Sequence, residues 1–253
     1  MSDAAWTPRA APRALFLHGA GAWGGQWAIW RRVFEAEGWR VDAPDLQPAA
    51  AGLAATRLDD YVAQAADAIR PAPPTLLVGA SLGGLVALAA ARLVDRNAAA
   101  SALQGLVLVN PLPPAPWSAR LPPFVARFDA ESRDVVPWRT QGRFDSTRRA
   151  LRGASFADRQ LAFRHWRDES AAVLREAHAG IVLPSPAVPV LVIASEADRD
   201  VPPEASAAFA HGIGADIARV PGGHVDPVMG ATAAHAARIA LAWSAASGRR
   251  TTP

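Results

Sequence analysis

The chain has 253 residues, 51% of them hydrophobic and 19% charged, which is enough to bury a substantial core in one large domain or two small ones. It has no cysteine, so disulfides, thiolate metal sites and a cysteine nucleophile are excluded. All 26 cationic residues are arginine, and the pI near 10.7 reflects arginine's very high pKa beside a net charge of only +3. No dense basic run and no interleaving of aromatic and basic residues supports nucleic-acid binding.

Residues 1–12 are rich in alanine and proline, and Met1 to Arg13 contains no apolar segment of the signal-peptide kind. The expectation is a cytoplasmic protein. Arg13 to His18 is a short apolar run ending in a glycine loop, which predicts a buried strand. Gly24 to Glu37 places Trp27, Trp30, Val33 and Phe34 at spacings of three and four, the apolar face of a helix. Trp39 to Ala43 predicts a second strand, closed by Pro44. Thr56 to Arg70 predicts a helix with Thr56 and Asp59 at capping-box spacing and Pro71 as its stop.

Thr75 to Val78 predicts a strand, and Leu85 to Ala91 lies in a helix ending near Asp95. The uncharged run Leu76–Ala91 is short for a membrane span and has Gly79, Ser81, Gly83 and Gly84 at its centre, so no span is expected. Gly105 to Val109 predicts a strand closed by Asn110-Pro111. Residues 112–184 hold early prolines, many arginines and no strong strand pattern. Val188 to Ala194 predicts a strand, Pro202 to His211 a helix, Asp216 to Val220 a strand and Met229 to Trp243 a final helix. Residues 247–253 are expected to fray.

Strands alternating with helices predict an α/β fold with a mostly parallel sheet covered on both faces. The stretch 112–184 is too long for an ordinary connection, and is expected to be an inserted helical cap. The core is then 1–111 and 185–253.

The chemistry centres on Gly79-Ala80-Ser81-Leu82-Gly83. Strand before and helix after match the G-x-S-x-G nucleophile elbow. A serine at such a turn has a strained backbone, and side chains two residues before and after it would collide. The turn lifts Ser81 above the sheet, where the helix N-terminus aims its N–H groups. A serine hydroxyl needs a base, and histidine is the usual one because its pKa lies near neutrality. His165, His178, His211 and His235 fall in predicted helices, where a solvent-facing position is the default. His224 follows Gly222-Gly223 in the loop after the last strand, on the side where the elbow points. A carboxylate should orient the imidazole, and the loop after 188–194 offers Glu196, Asp198 and Asp200.

With Leu15-Phe16-Leu17-His18-Gly19-Ala20-Gly21, Ser195 to Pro202 and Pro221-Gly222-Gly223-His224, these stretches resemble the α/β-hydrolase fold over about residues 15–243. The resemblance implies the order Ser81, Asp198, His224 for a catalytic triad. Asp198 sits three residues before Val201-Pro202, as in the family pattern, whereas Asp200 directly precedes a helix start and suits a capping role. It further implies an oxyanion hole from the backbone N–H groups of Leu82 and, in the H-G-x-G-like loop, Ala20. His18 is then structural. Few residues precede the first strand, so the family's N-terminal antiparallel pair is expected to be missing, leaving about six core strands. Two departures are noted: Ser195 stands where a glycine is frequent, and Asn110 closes its strand without supplying an alternative acid. A serine nucleophile argues against the dehalogenase and epoxide-hydrolase branches.

These readings predict a serine carboxylesterase on small to medium, partly hydrophobic esters. The alternatives are a C–C bond hydrolase or hydroxynitrile-lyase-like enzyme with the same triad, and a ligand-binding receptor of this fold with little turnover. Trp23, Trp117, Phe124, Trp138, Phe144, Phe163 and Trp166 are candidate pocket residues. No metal-ligand spacing and no nucleotide motif is present, so no metal and no cofactor is expected. Residues 112–184 hold twelve arginines against eight acids, while the remainder holds fourteen against fifteen. The positive excess therefore lies on the expected cap, which would favour substrates with a negative group.

Overall fold

The computed structural model describes residues 10–69, 73–96, 102–123 and 133–250. Six strands form one sheet: β1 (Arg13–Leu17), β2 (Arg40–Asp42), β3 (Thr75–Ala80), β4 (Leu103–Val109), β7 (Val190–Ser195) and β8 (Asp216–Val220). Their order is β2-β1-β3-β4-β7-β8, and every neighbouring pair is parallel. The C-terminal ends of the strands therefore open on one rim, where sites form in sheets of this kind.

The period of two in the strands builds both layers. Leu15, Leu17, Leu77, Leu106, Leu108 and Val192 face one side, packed under α2 (Leu58–Ala68), α3 (Leu82–Arg96) and α7 (Pro203–Gly212). Phe16, Val78, Val107, Val109 and Ile193 face the other, under α1 (Ala28–Ala36) and α9 (Ala233–Arg250). On that side Phe16 meets Trp27 and Phe34 with ring centroids 5.2 Å apart. The Trp30 indole N–H donates to Pro227 O at 2.7 Å, which ties α1 to the short helix α8 (Asp226–Met229).

Several boundaries move, each for a local reason. The predicted helix 24–37 divides into a 3₁₀ turn at Gly24–Trp27 and α1. The capping pair of α2 shifts by one residue: Asp60 Oδ2 accepts from Arg57 N at 2.8 Å. Thr56 instead braces the preceding turn, accepting from Ala49 N and donating to Gly52 O, both at 3.0 Å. The last predicted helix breaks at Gly230 into α8 and α9, and α9 runs on to Arg250 through residues expected to fray.

Between β4 and β7 lie a 3₁₀ turn at Trp117–Arg120, then β5 (Val135–Val136), α4 (Phe144–Ala150), α5 (Phe156–His165), β6 (Glu169–Ser170) and α6 (Ala171–Ala179). Helices are the main regular structure there, although more than half of the described residues lie outside them, and β5 and β6 form a two-residue antiparallel ladder that the sequence pattern does not signal. Ser155 and Ser170 cap α5 and α6, accepting from Asp158 N and Val173 N. Among the described residues no helix is long and apolar enough to cross a membrane.

Candidate active site

Ser81 stands between the last residue of β3 and the first of α3 with φ +54°. A non-glycine residue in that region carries strain of about 1–3 kcal/mol, held here by the surroundings. Its N–H donates to Val109 O at 3.0 Å and its carbonyl accepts from Leu112 N at 3.0 Å. A side chain on Gly79 would fall on the Gly83 carbonyl, and one on Gly83 on the carbonyls of Leu17 and His18. Backbone atoms cannot yield as flexible side chains do, so the glycines are dictated by the turn. Leu82 opens α3, and its N–H belongs to the first turn, where amides lack an intrahelical acceptor.

Asp198, in the loop after β7, has a fully buried side chain; its Oδ2 accepts from His224 Nδ1 at 2.7 Å. The proton on Nδ1 leaves Nε2 as the second ring nitrogen available to chemistry. Asp198 Oδ1 accepts from the backbone N–H groups of Asp200 and Val201, at 2.8 and 3.0 Å. The three bonds hold the carboxylate in one orientation. Glu196 is exposed and Asp200 half-buried at the cavity wall. His224 follows Gly222, whose φ of +106° turns the chain back toward the sheet rim. Asp226 Oδ2 accepts from Gly223 N at 2.7 Å and closes this turn.

Two features that read as departures in the sequence are joined here. Asn110 has φ +44° at the end of β4. Its side chain donates to Ser195 Oγ and to His224 O, both at 2.8 Å, and accepts from Ser195 N at 2.7 Å. One buried amide thus ties the loop carrying the acid to the loop carrying the histidine. A serine hydroxyl at position 195 supplies an acceptor that glycine could not.

His18 is 3% exposed, with Nδ1 2.8 Å from Gly19 O and Nε2 accepting from Leu46 N at 2.9 Å. Burial lowers its pKa to about 4, so the ring is neutral, as the acceptor role of Nε2 requires. Gly21, three residues on, is held by the 167–169 strand-end from the segment opposite. Its carbonyl accepts from Arg167 N at 2.6 Å, and its N–H donates to Glu169 Oε2 at 3.0 Å. Glu169 Oε1 accepts from Tyr61 Oη at 2.8 Å and Ser170 N at 2.9 Å. Burial pushes the Glu169 carboxyl upward while these donors oppose it, and burial followed by the Glu169 charge raises the Tyr61 phenol. Neither residue carries a motif. Only an acid within an otherwise apolar helix start, Glu169 before Ala171 to Leu174, hints at a buried role.

Ser81 and His224 border one cavity of about 610 Å³ with Gly19, Ala20 and Gln26. Trp138, Phe163 and Trp166 line it. Trp23, Trp117 and Phe144 do not: Trp23 stacks on His165 at 5.1 Å, Trp117 packs edge-on to Phe209 at 5.4 Å, and Phe144 packs on Phe156 and Phe163. Phe124 lies outside the described residues. His178, read as solvent-facing, lines the cavity from α6.

Ligand atoms of Asp198, Asp200 and His224 lie within 4.8 Å of one another, a spacing a cation could also use. Both Asp198 oxygens are, however, already engaged by N–H donors. The arrangement instead suits orienting an imidazole.

The model of the alpha/beta hydrolase family matches residues 14–240. No curated protein sequence matches. Among solved structures, polyneuridine aldehyde esterase is similar with a TM-score of 0.70 at 16% identity, covering 92% of this chain and 99% of that one. An extracellular alpha/beta-hydrolase from a Paenibacillus species gives 0.71 at 18% identity, covering 91% and 98%. A thermophilic esterase from Thermogutta terrifontis gives 0.65 at 21% identity, covering 94% and 91%. At these identities the structures speak for the fold.

Proposed function

From the premise that the chain belongs to the alpha/beta hydrolase family, we propose that it is a serine carboxylesterase on small to medium, partly hydrophobic esters. The observation that carries the reading is the 2.7 Å bond from His224 Nδ1 to buried Asp198, with His224 and Ser81 on the same cavity. In this reading His224 Nε2 takes the Ser81 proton as Oγ attacks the ester carbonyl, and Asp198 stabilises the imidazolium. The N–H groups of Leu82 and Ala20 receive the developing oxyanion. The imidazolium then protonates the leaving alcohol. Water, activated by the same ring, cleaves the acyl-Ser81 ester.

Residues 112–184 act as a cap on the core formed by 1–111 and 185–253. Support comes from Trp138, Phe163, Trp166, Leu174 and His178, which line the Ser81 cavity from that segment. Their apolar surface favours partly hydrophobic substrates over small polar ones.

The test is an ester panel varying acyl and alcohol parts, with a cyanohydrin and a vinylogous diketone beside it, run on wild type and Ser81→Ala. Turnover of esters, labelling of Ser81 by a fluorophosphonate and a fall on the order of 10⁶ in kcat for Ser81→Ala are expected. Retention of more than about a tenth of the activity would refute the mechanism. Turnover of the cyanohydrin or diketone alone would move the same residues to lyase or C–C hydrolase chemistry.

A further inference from the structure

The cavity beside Ser81 has two chemically different ends. Toward the core it is lined by Ala20, Ala22, Leu112 and Val228, with the aromatic rings of Trp138, Phe163 and Trp166 on the cap side. Toward the stretch that enters α4 it is lined by Gln141, Arg143, Ser146, Thr147 and Arg149. Arg149 also borders a second hollow, of about 480 Å³, shared with Arg148, Arg152, Arg159 and Asp145. Arg149 is thus common to the two spaces, and four guanidinium groups surround the outer one.

The acids near these groups do not neutralise them. Asp145 pairs with Arg148 at 2.9 Å. Among the described residues no carboxylate lies within ion-pairing distance of Arg143, Arg149, Arg152 or Arg159. Arg149 Nη2 instead donates to Ser146 Oγ at 3.0 Å, and Arg159 Nε to Leu151 O at 2.8 Å. Arg143, Arg148, Arg149 and Arg152 are exposed and Arg159 is half-buried, so these groups are open to a ligand, and a guanidinium's planar fork matches carboxylate and phosphate oxygens. The acid that borders the cavity, Asp200, stands at its catalytic end beside Asp198 and His224. A negative group is therefore repelled from the triad end and drawn to the arginine end.

We propose that the Arg149 junction is an anion subsite, so that the substrate is an ester carrying a carboxylate or phosphate at the end remote from the scissile bond. Arg143 and Arg149 meet that group at the cavity mouth, while Arg148, Arg152 and Arg159 supply the field that draws it in. This rests on reading the Ser81 cavity as the ester-hydrolysing centre.

The experiment compares methyl esters of straight-chain monocarboxylic acids with the half-methyl esters of dicarboxylic acids of equal length, and with phosphate-terminated counterparts. At about 0.02 M salt one anionic series is expected to exceed the neutral series about tenfold in kcat/KM, and the gap to close toward about 0.5 M. The preferred series identifies the anion. In Arg149→Gln the anionic-to-neutral ratio should fall to about one. Equal kcat/KM for all three series, or a ratio unmoved in Arg149→Gln, overturns the subsite. Calorimetry of the same esters on Ser81→Ala protein separates the two readings, because it needs no turnover. Arg149-dependent binding of anionic esters without hydrolysis by wild type would keep the subsite and refute the esterase. Hydrolysis of neutral and anionic esters alike would do the reverse.

Discussion

Ser81, Asp198 and His224 stand on loops of a few residues that leave the ends of β3, β7 and β8, whereas the cavity wall facing them comes from a stretch of more than seventy residues between β4 and β7. The first region is held by what the backbone forbids and by short bonds along its own loops, with Asn110 joining the acid and histidine loops across 85 and 114 positions. The elbow follows from two glycines that admit no side chain, and the acid is fixed by N–H groups two and three residues along its own chain. The second region is held by polar contacts distant in sequence. Glu169 reaches Gly21 and Tyr61, Arg167 reaches Leu46 O at 2.9 Å, and Glu176 accepts from Leu58 N at 2.9 Å. In the proposed mechanism the first region does the chemistry and the second places the substrate. Damage to the first should abolish turnover in a folded protein, and damage to the second should retune it.

The largest effect expected within the strand-end loops, after loss of the nucleophile, is that of Asp198→Asn. An amide at 198 favours the wrong imidazole tautomer while leaving the volume unchanged, so a fall of about 10⁴ in kcat is expected. Asp200→Asn should stay within about tenfold, because its own N–H, not its side chain, serves Asp198. Steady-state kinetics on the two variants decides between the carboxylates. A larger loss in Asp200→Asn would transfer the role and undo the assignment of Asp198.

This division also explains what could be read from the sequence. The elbow, the alternating strands and the order of serine, acid and histidine are local patterns, so sheet and candidate triad residues were legible. The face of Trp27, Trp30, Val33 and Phe34 was legible from its spacing. In the sequence Asn110 shows only the lack of an acid, because its bonds run to residues 85 and 114 positions away. Glu169 lay within an unpatterned segment, and its partners Gly21 and Tyr61 are 148 and 108 residues distant. The aromatic candidates divided for the same reason. Composition marks a ring as apolar, but only the packing of α5 and α6 sends Phe163 and Trp166 to the cavity and Phe144 to Phe156. His178 faces the cavity rather than solvent, and a helical histidine has no sequence signature for the side it faces.

His18 sits at the seam of the two regions, beneath the loop that carries Ala20. Its folded pKa is depressed to about 4 from 6.5. Below pH 6.5 the unfolded chain takes up a proton that the folded chain refuses, so stability falls as the pH drops from about 6.5 to about 4. The window corresponds to about 3 kcal/mol at most. Urea unfolding at several pH values should show this loss, and His18→Gln should show a shallower slope over the same window. An unchanged slope in His18→Gln would mean that another group controls the acid lability, and that the seam is not held by a neutral ring.

The smallest expected effect tests the cap side directly, through Glu169→Gln. Glu169 receives three donors: Gly21 N on one oxygen, Tyr61 Oη and Ser170 N on the other. A carboxylate accepts all three, but an amide has one oxygen and must set its NH₂ against at least one backbone N–H. If the amide turns its NH₂ toward Gly21, that N–H loses its acceptor, and the loop carrying Ala20 loses one of the two hydrogen bonds that join Gly21 to residues 167–169. The other tie, Arg167 N to Gly21 O, remains. A loosened oxyanion donor weakens stabilisation of the transition state more than binding of the ground state. The expectation is a kcat lower by about tenfold with KM within about twofold. A purely structural role would lower the unfolding midpoint while leaving kcat per folded molecule unchanged. Should kcat fall as far as in Asp198→Asn, the cap would belong to the catalytic apparatus, and the contrast between the two regions would not stand.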